Sequence, residues 1–314
     1  MSFIHVQAIP SPKEFMASIP MSDDLKAVKA ERDAQLKNIF EGKDDRFVVI
    51  VGPCSASDEE ADVDYTYHLA KINDKVKEKL FIIPRIYTNK PRTTGEGYKG
   101  MLHQPDPTKG PNILAGIAAL RKMHIRSIAE THLTAADEML YPENYPFLHD
   151  LLTYIAIGAR SVENQQHRLV SSGIDFPVGM KNPTSGDLSV MLNAIYAAQS
   201  SHTFLYRDEE VSTHGNPLAH AIIRGYVTKH GESLPNYHYE DLELLADMYY
   251  KRNLVNPFVV VDVNHANSGK IFSEQPRIVK EVLQSRSINL TLKTLVRGVM
   301  IESFIVEGNQ KPEG

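Results

Sequence analysis

Cysteine is almost absent from this chain of 314 residues, where Cys54 stands alone. An intrachain disulfide is therefore excluded, which fits a reducing cytoplasm and leaves the thiol free for other chemistry. Long apolar runs are absent too: none approaches the roughly 20 residues needed to cross a bilayer. The N-terminus, Met1 to Pro20, lacks the basic start and apolar centre of a secretory signal. There is no excess of positive charge, the formal net charge being -5, so the chain as a whole should be drawn neither to nucleic acid nor to an anionic membrane. Neither of the glycine-rich nucleotide fingerprints occurs, and Gly95-Glu96-Gly97 is not one. Any phosphate binding must come from a local concentration of cations.

What is present is an ordinary globular composition, 42% hydrophobic, in a repeating pattern. Residues 1–20 read as an irregular arm that packs on a partner subunit or moves. A helix capped at Ser22 should follow to about Phe40, and Ser57 with Glu60 resembles a capping box for a helix over 58–78. Short apolar, β-branched runs at 47–51, 80–86, 127–131, 154–159, 177–181, 202–206, 258–263 and 297–302 read as strands buried on both faces. They alternate with helical stretches near 112–123, 134–140, 163–172, 187–199, 240–252 and 274–286. Eight strand-helix units predict an α/β fold of the (β/α)₈ TIM-barrel type. The extension would be 1–46 and the barrel 47–314, with an inserted hairpin between strands six and seven at about 208–239 and the last helix absent from this chain.

In such a barrel the chemistry sits where strands end at the C-terminal face. The residues there are Cys54, Arg85, Glu130, Arg160, Lys181, His265 and Glu302, with Arg224 from the insertion. Arg85, Lys90 and Arg92 fall within eight residues, stiffened by Pro91 and followed by Thr93 and Thr94. Alone, this stretch could be a solvated basic turn. With Arg160, Lys181 and Arg224 it gives six cations able to grip phosphate and carboxylate oxygens. Cys54, His265 and Glu302 form a mixed S/N/O set suited to a divalent transition metal, although their spacing is no short-range metal motif.

At this point the residues resemble a known family. Gly52-Pro53-Cys54-Ser55, Lys90-Pro91-Arg92-Thr93-Thr94, Gly158-Ala159-Arg160, Pro177 to Asn182, Asp262 to Ser268 and Glu302 to Gln310 are together similar to type I 3-deoxy-D-arabino-heptulosonate-7-phosphate (DAHP) synthase, in its larger form with an N-terminal extension. The similarity runs from about residue 20 to the end. The related octulosonate-phosphate synthase has a similar fold but not the Lys-Pro-Arg-Thr-Thr loop.

The resemblance implies condensation of phosphoenolpyruvate with erythrose 4-phosphate, opening the aromatic amino acid (shikimate) pathway in the cytoplasm. It implies that Arg85, Lys90, Arg160, Lys181 and Arg224, with Gly158 and Ala159, hold phosphoenolpyruvate. Glu130 would lie beside it and orient groups or water. Lys90, Pro91, Arg92 and Thr93 would receive erythrose 4-phosphate. Cys54, His265 and Glu302 would ligate one divalent ion: manganese, iron, cobalt or zinc. His265 would also belong to the catalytic group with Lys90 and Glu130. A homodimer or homotetramer is implied, with feedback inhibition by an aromatic amino acid bound near Ser171–Asp175. The family's fourth ligand, an aspartate beyond Glu-Gly-Asn-Gln, has no counterpart before Gly314. The competing expectation is a weakened or inactive barrel that only binds phosphoenolpyruvate or an aromatic amino acid.

Overall fold

The computed structural model describes residues 2–92 and 95–308. Two helices precede the first strand. α1 (Pro12–Ser18) begins with a reciprocal Ser11–Glu14 capping box, and α2 (Asp23–Phe40) is capped by Ser22. The barrel strands are β1 (Phe47–Gly52), β2 (Leu80–Pro84), β3 (Ala135–Glu138), β4 (Leu152–Ile157), β5 (Val178–Lys181), β8 (His220–Ile223), β11 (Val259–Asp262) and β12 (Val296–Glu302). All pair in parallel, in the order β2-β1-β12-β11-β8-β5-β4-β3, and a bridge from Arg85 to Ala136 closes the ring. The connecting helices are α3 (Glu59–Val76), α4 (Ile113–Thr131), α5 (Gln165–Ser171), α6 (Leu188–Gln199), α7 (Tyr239–Lys251), α8 (Gln275–Ile288) and α9 (Leu290–Leu295). Among the described residues no helix follows β12, and Phe47, Val49 and Ile301 on the outer face of β1 and β12 are only half-buried. No described helix is long and apolar enough to cross a membrane.

The period-two alternation along each strand divides the core in two. Outward residues such as Ile155, Val178, Ile223 and Val261 pack under the helices. Inward residues Val48, Ile50, Phe81, Ile83, Ala136, Tyr154, Ala156, Ile222, Val260 and Met300 fill the barrel. Its N-terminal end is stoppered by α2 through Leu36, Ile39 and Phe40, with the Phe40 ring stacked on Phe258 at 3.9 Å. Inside this plug His220 takes a hydrogen bond from Tyr154 and contacts the Leu218 carbonyl, and burial pushes its pKa down to about 3, so it stays neutral.

Several sequence expectations are corrected, the first being the irregular arm over 1–20, within which α1 forms. The run at 127–131 is not strand three but the last turn of α4, which continues through it for 19 residues. Its buried positions Ile117, Leu120, His124 and Ile128 recur at helical spacing. The third strand is Ala135–Glu138, which had been read as helix. The run at 202–206 is not a barrel strand: β6 (Thr203–Tyr206) pairs antiparallel with β7 (Glu209–Ser212) in a surface hairpin, half exposed along its length. The sixth barrel strand is instead the run Ala221-Ile222-Ile223, and a smaller hairpin of β9 (Tyr226–Val227) and β10 (Ser233–Leu234) lies between strands six and seven. Finally, Asp58 rather than Ser57 caps α3.

Candidate active site

The inward positions at the C-terminal end of the strands carry charge where the rest of the barrel is apolar. Continuing the alternation past Ile83, Ile222, Gly179, Val260, Met300 and Ala136 gives Arg85, Arg224, Lys181, Asp262, Glu302 and Glu138. Three cations and three carboxylates thus share one mouth, Glu302 beside Asp262 and Arg224 beside Lys181 in the strand order. Glycines make the room for them. A Cβ at position 158 would collide with the Glu138 carboxylate, and one at position 52 with the Arg85 backbone.

Arg85 is 2% exposed and lies over the Tyr87 ring at 3.7 Å. One of its nitrogens donates to the carbonyls of Pro53 and Cys54, another to Glu302 Oε1 at 2.9 Å. Asn264 Nδ2 donates to the other Glu302 oxygen at 2.7 Å. Burial pushes the Glu302 pKa up, but Arg85 and His265 outweigh it and hold the carboxyl below its usual range. Gln275 braces the Glu302 backbone through both its amide and carbonyl. His265 Nε2 stands 3.7 Å from Glu302 Oε1, and Nδ1 stands 2.8 Å from Asp262 Oδ2, a close but poorly aligned charge contact. The His265 backbone is left-handed, φ 49°, a conformation a non-glycine residue rarely takes without surrounding support. That support includes the Ala266 amide donating to the Arg224 carbonyl. Lys181 Nζ is 3.2 Å from Asp262 Oδ2. Arg224 is 8% exposed with one buried nitrogen that has no partner among the described residues, and burial lowers its pKa, with Arg160 nearby adding to the effect. A buried guanidinium left this way is ready for an anion.

The loop after β2 is fastened to β3. Thr88 donates through both its amide and hydroxyl to the Asp137 carboxylate, which also accepts from the Glu138 amide. Burial raises the Asp137 pKa to about 7 against these bonds. Beyond this anchor Lys90 is half-buried, its amide bonded to Lys99. Pro91 is half-buried, and Arg92 reaches out with Nε on the Tyr98 carbonyl at 2.8 Å. Thr93 lies outside the described residues. Gly158 is buried, Ala159 half-buried and Arg160 exposed, all just beyond β4.

Most of the residues read from the sequence therefore converge on the mouth. Glu130 does not. It sits on the outside of α4, paired with Arg126 at 2.8 Å. The carboxylate that belongs to the third strand end is Glu138. Asp262 and Asp137 were also missed. Asp262 directly ends an apolar run, so the strand-end rule would have found it had the more familiar His265 not taken its place. A separate cleft of about 730 Å³ between α2, α3 and the end of α4 lies by the first residues of β2, away from this mouth.

The donor set of Cys54, His265 and Glu302 is of the kind that a divalent transition metal takes. β1 and β12 pair Gly52 with Glu302, and burial together with the Glu302 charge raises the Cys54 pKa, so the three donor-bearing residues share one side of the mouth. Arg85 and Asn264 engage both Glu302 oxygens here. Among the described residues no group of three His, Cys, Asp or Glu side chains is set at ligand spacing. The set fits a metal in chemical kind, and Arg85 supplies the positive charge that Glu302 needs.

Residues 22–314 match the model of the DAHP synthetase I family. The chain belongs to that family. A phospho-2-dehydro-3-deoxyheptonate aldolase of Corynebacterium glutamicum is 36% identical over 308 residues, spanning 96% of this chain and 80% of the relative. The Tyr-sensitive enzyme of that name from Escherichia coli is 34% identical over 313 residues, 98% of this chain and 84% of the relative. The phenylalanine-inhibited one from Saccharomyces cerevisiae is 37% identical over 281 residues, 87% and 73%. Among solved structures, the phospho-2-dehydro-3-deoxyheptonate aldolase of Francisella tularensis superposes with a TM-score of 0.90 at 31% identity, covering 100% of this chain and 90% of that one. The DAHP synthetase I family thus accounts for the barrel and for its charged mouth together.

Proposed function

We propose that this chain condenses phosphoenolpyruvate with erythrose 4-phosphate and water to give DAHP and inorganic phosphate, the first step of the shikimate pathway. The observation that carries the reading is the set of buried cations at the mouth, one of them with a nitrogen that has no partner among the described residues, in a member of this family. Arg85, Lys181 and Arg224, with Arg160 at the rim, would bind the phosphate and carboxylate of phosphoenolpyruvate. Lys90 and Arg92 on the loop would receive the second substrate's phosphate. Clustered cations repel one another, and two bound phosphate esters relieve that repulsion.

In the reaction, C3 of phosphoenolpyruvate attacks the aldehyde carbon and the carbonyl electron pair becomes an alkoxide. Lys90 would give that oxygen a proton. Water adds at C2, losing a proton to a group at the mouth, a part that Glu138 would take, since Glu130 lies on the outside of α4. The C2–O bond to phosphate then breaks as the new C2 hydroxyl gives its proton to the departing phosphate, leaving the ketone and inorganic phosphate. A divalent metal, when bound by Cys54, His265 and Glu302, would supply Lewis acidity for the aldehyde oxygen. We assign residues 1–46 to subunit contact and regulation in a homodimer or homotetramer. An aromatic amino acid would regulate near Ser171–Asp175, where the β6–β7 hairpin docks through Ser172 Oγ and Thr213 Oγ1 at 2.6 Å.

The test is loss of phosphoenolpyruvate with erythrose 4-phosphate present, with and without a chelator. Consumption that needs both substrates and stops on chelation is expected. Binding of phosphoenolpyruvate without turnover would replace this reading by the binding-only barrel.

A further inference from the structure

The charged groups of the mouth form a continuous line across it. Arg85 just after β2 pairs with Glu302 on β12 at 2.9 Å, Glu302 faces His265 Nε2 at 3.7 Å, His265 Nδ1 faces Asp262 at 2.8 Å, and Asp262 pairs with Lys181 on β5 at 3.2 Å. A cation stands at each end and the imidazole at the centre, with one carboxylate on either side of it. Asp262 is the less expected of the two. It is 1% exposed, and Oδ2 alone serves both Lys181 and His265. Its other oxygen accepts the Asn264 amide at 3.1 Å, and its carbonyl accepts from Asn267 at 2.7 Å. The carboxylate is thus fixed from behind and presents one oxygen to two competing partners.

Building on the proposed function, we infer that Asp262 is a positioning residue that couples anion capture by Lys181 to the aim of His265. Without substrate, Lys181 and His265 share Oδ2. When an anion takes Lys181, the ammonium turns its charge toward it, and Oδ2 is left to His265. The ring is then held by its Nδ1 side and its Nε2 side is directed at Glu302 and the reacting groups. A carboxylate behind a histidine fixes ring orientation in this way in many sites. The left-handed backbone at His265 keeps the ring within reach of both carboxylates. Asp262 has a cost for anion binding as well, because its negative charge stands beside the cation that the anion must use.

These two effects oppose each other, which gives the inference a signature that a merely structural residue lacks. In Asp262→Asn, Lys181 is released and the local negative charge is gone. Phosphoenolpyruvate should bind the metal-free protein three- to tenfold more tightly by calorimetry, with KM for phosphoenolpyruvate falling in parallel. In the same variant kcat should fall by about 10- to 100-fold, the range seen when such supporting partners are removed. Asp262→Glu keeps the charge but shifts the oxygen. It should keep the wild-type affinity and still lose kcat, and it carries the test alone if the Asn variant does not fold. Weaker binding together with lower kcat in Asp262→Asn, or wild-type values of both in either variant, would overturn the inference. The wild-type protein is measured alongside. If it neither binds phosphoenolpyruvate nor turns over, the proposed function fails instead, and the same opposed change in binding is then sought with inorganic phosphate.

Discussion

The two ends of the barrel are built from the same strands at the same inward positions, yet they hold opposite chemistry. At the N-terminal end Leu36, Ile39 and Phe40 of α2 close against Phe258, Leu218 and a neutral His220. At the C-terminal end, two or four residues further along each strand, the inward positions are Arg85, Glu138, Lys181, Arg224, Asp262 and Glu302. One end stores stability in packed rings. The other holds buried charge that costs desolvation free energy and is kept in place by cross-pairing. The comparison teaches that the alternation of a strand fixes which residues enter the barrel, while position along it decides whether they serve packing or chemistry.

The comparison breaks most sharply at Arg224. Arg224→Met should lower kcat/KM by about 10³, about 4 kcal/mol of transition-state stabilisation. The thermal midpoint should hold or rise, since a partly unpartnered buried cation is lost. Steady-state kinetics beside a circular-dichroism melt would show the split, and a collapsed melting point would contradict it. At the opposite end Phe258→Ala should do the reverse. It should cost about 3–4 kcal/mol in denaturant unfolding, with KM for phosphoenolpyruvate unchanged in the folded protein.

Smaller effects sharpen the picture. Glu138→Gln should lower kcat by about 10², whereas Glu130→Gln on the outside of α4 should leave it within about twofold. Equal effects of the two would return the third strand's carboxylate to where the sequence reading put it. Asp62 on α3 offers a control for a buried carboxylate with no ion pair among the described residues. Burial, with Asp58 adding, raises its pKa to about 7. Its folded pKa is therefore above the unfolded one, so the fold favours the protonated form. Wild-type stability from this group is greatest below about pH 4, declines as pH rises to about 7 and is level above that. Asp62→Asn should be more stable than wild type by about 1–2 kcal/mol at pH 8, with the gain gone at pH 4. Unfolding titrations at the two pH values test this.

Much of this was legible in the sequence for a definite reason. Strands β1, β2 and β11 are dense β-branched or aromatic runs, and β5, β11 and β12 end on Lys181, Asp262 and Glu302, so the strand or its functional end stands out. The third strand was not legible because Ala135-Ala136-Asp137-Glu138 has no strand-like residue, while the last turn of α4 carries the apolar Ile128 near a chain bend. Its fold comes from pairing with β4, a tertiary effect that overrides local preference. The hairpin run Thr203–Tyr206 misled in the other direction: aromatic and alternating, it forms a strand, but one that pairs only with its own return arm. Asp262 was passed over because an aspartate at a strand end looks like a solvated turn until Lys181 and His265 are seen to converge on it.

The ring closes unequally. Seven of its joins are ladders, whereas β2 meets β3 through the Arg85–Ala136 bridge, where the Ile86 amide reaches the Ala136 carbonyl at 2.9 Å. The next lock along that seam is Asp137 on Thr88, whose carboxyl sits near neutrality in its proton affinity. The barrel is in this sense a clasp rather than a hoop. Its fastener lies directly beneath the loop that carries Lys90 and Arg92, so a parting of those two peptide groups would change the gape of the mouth and leave the packed ring below closed. Deuterium uptake at the Ile86 amide is the local clock of that motion, and it should run slower once both phosphate esters are held.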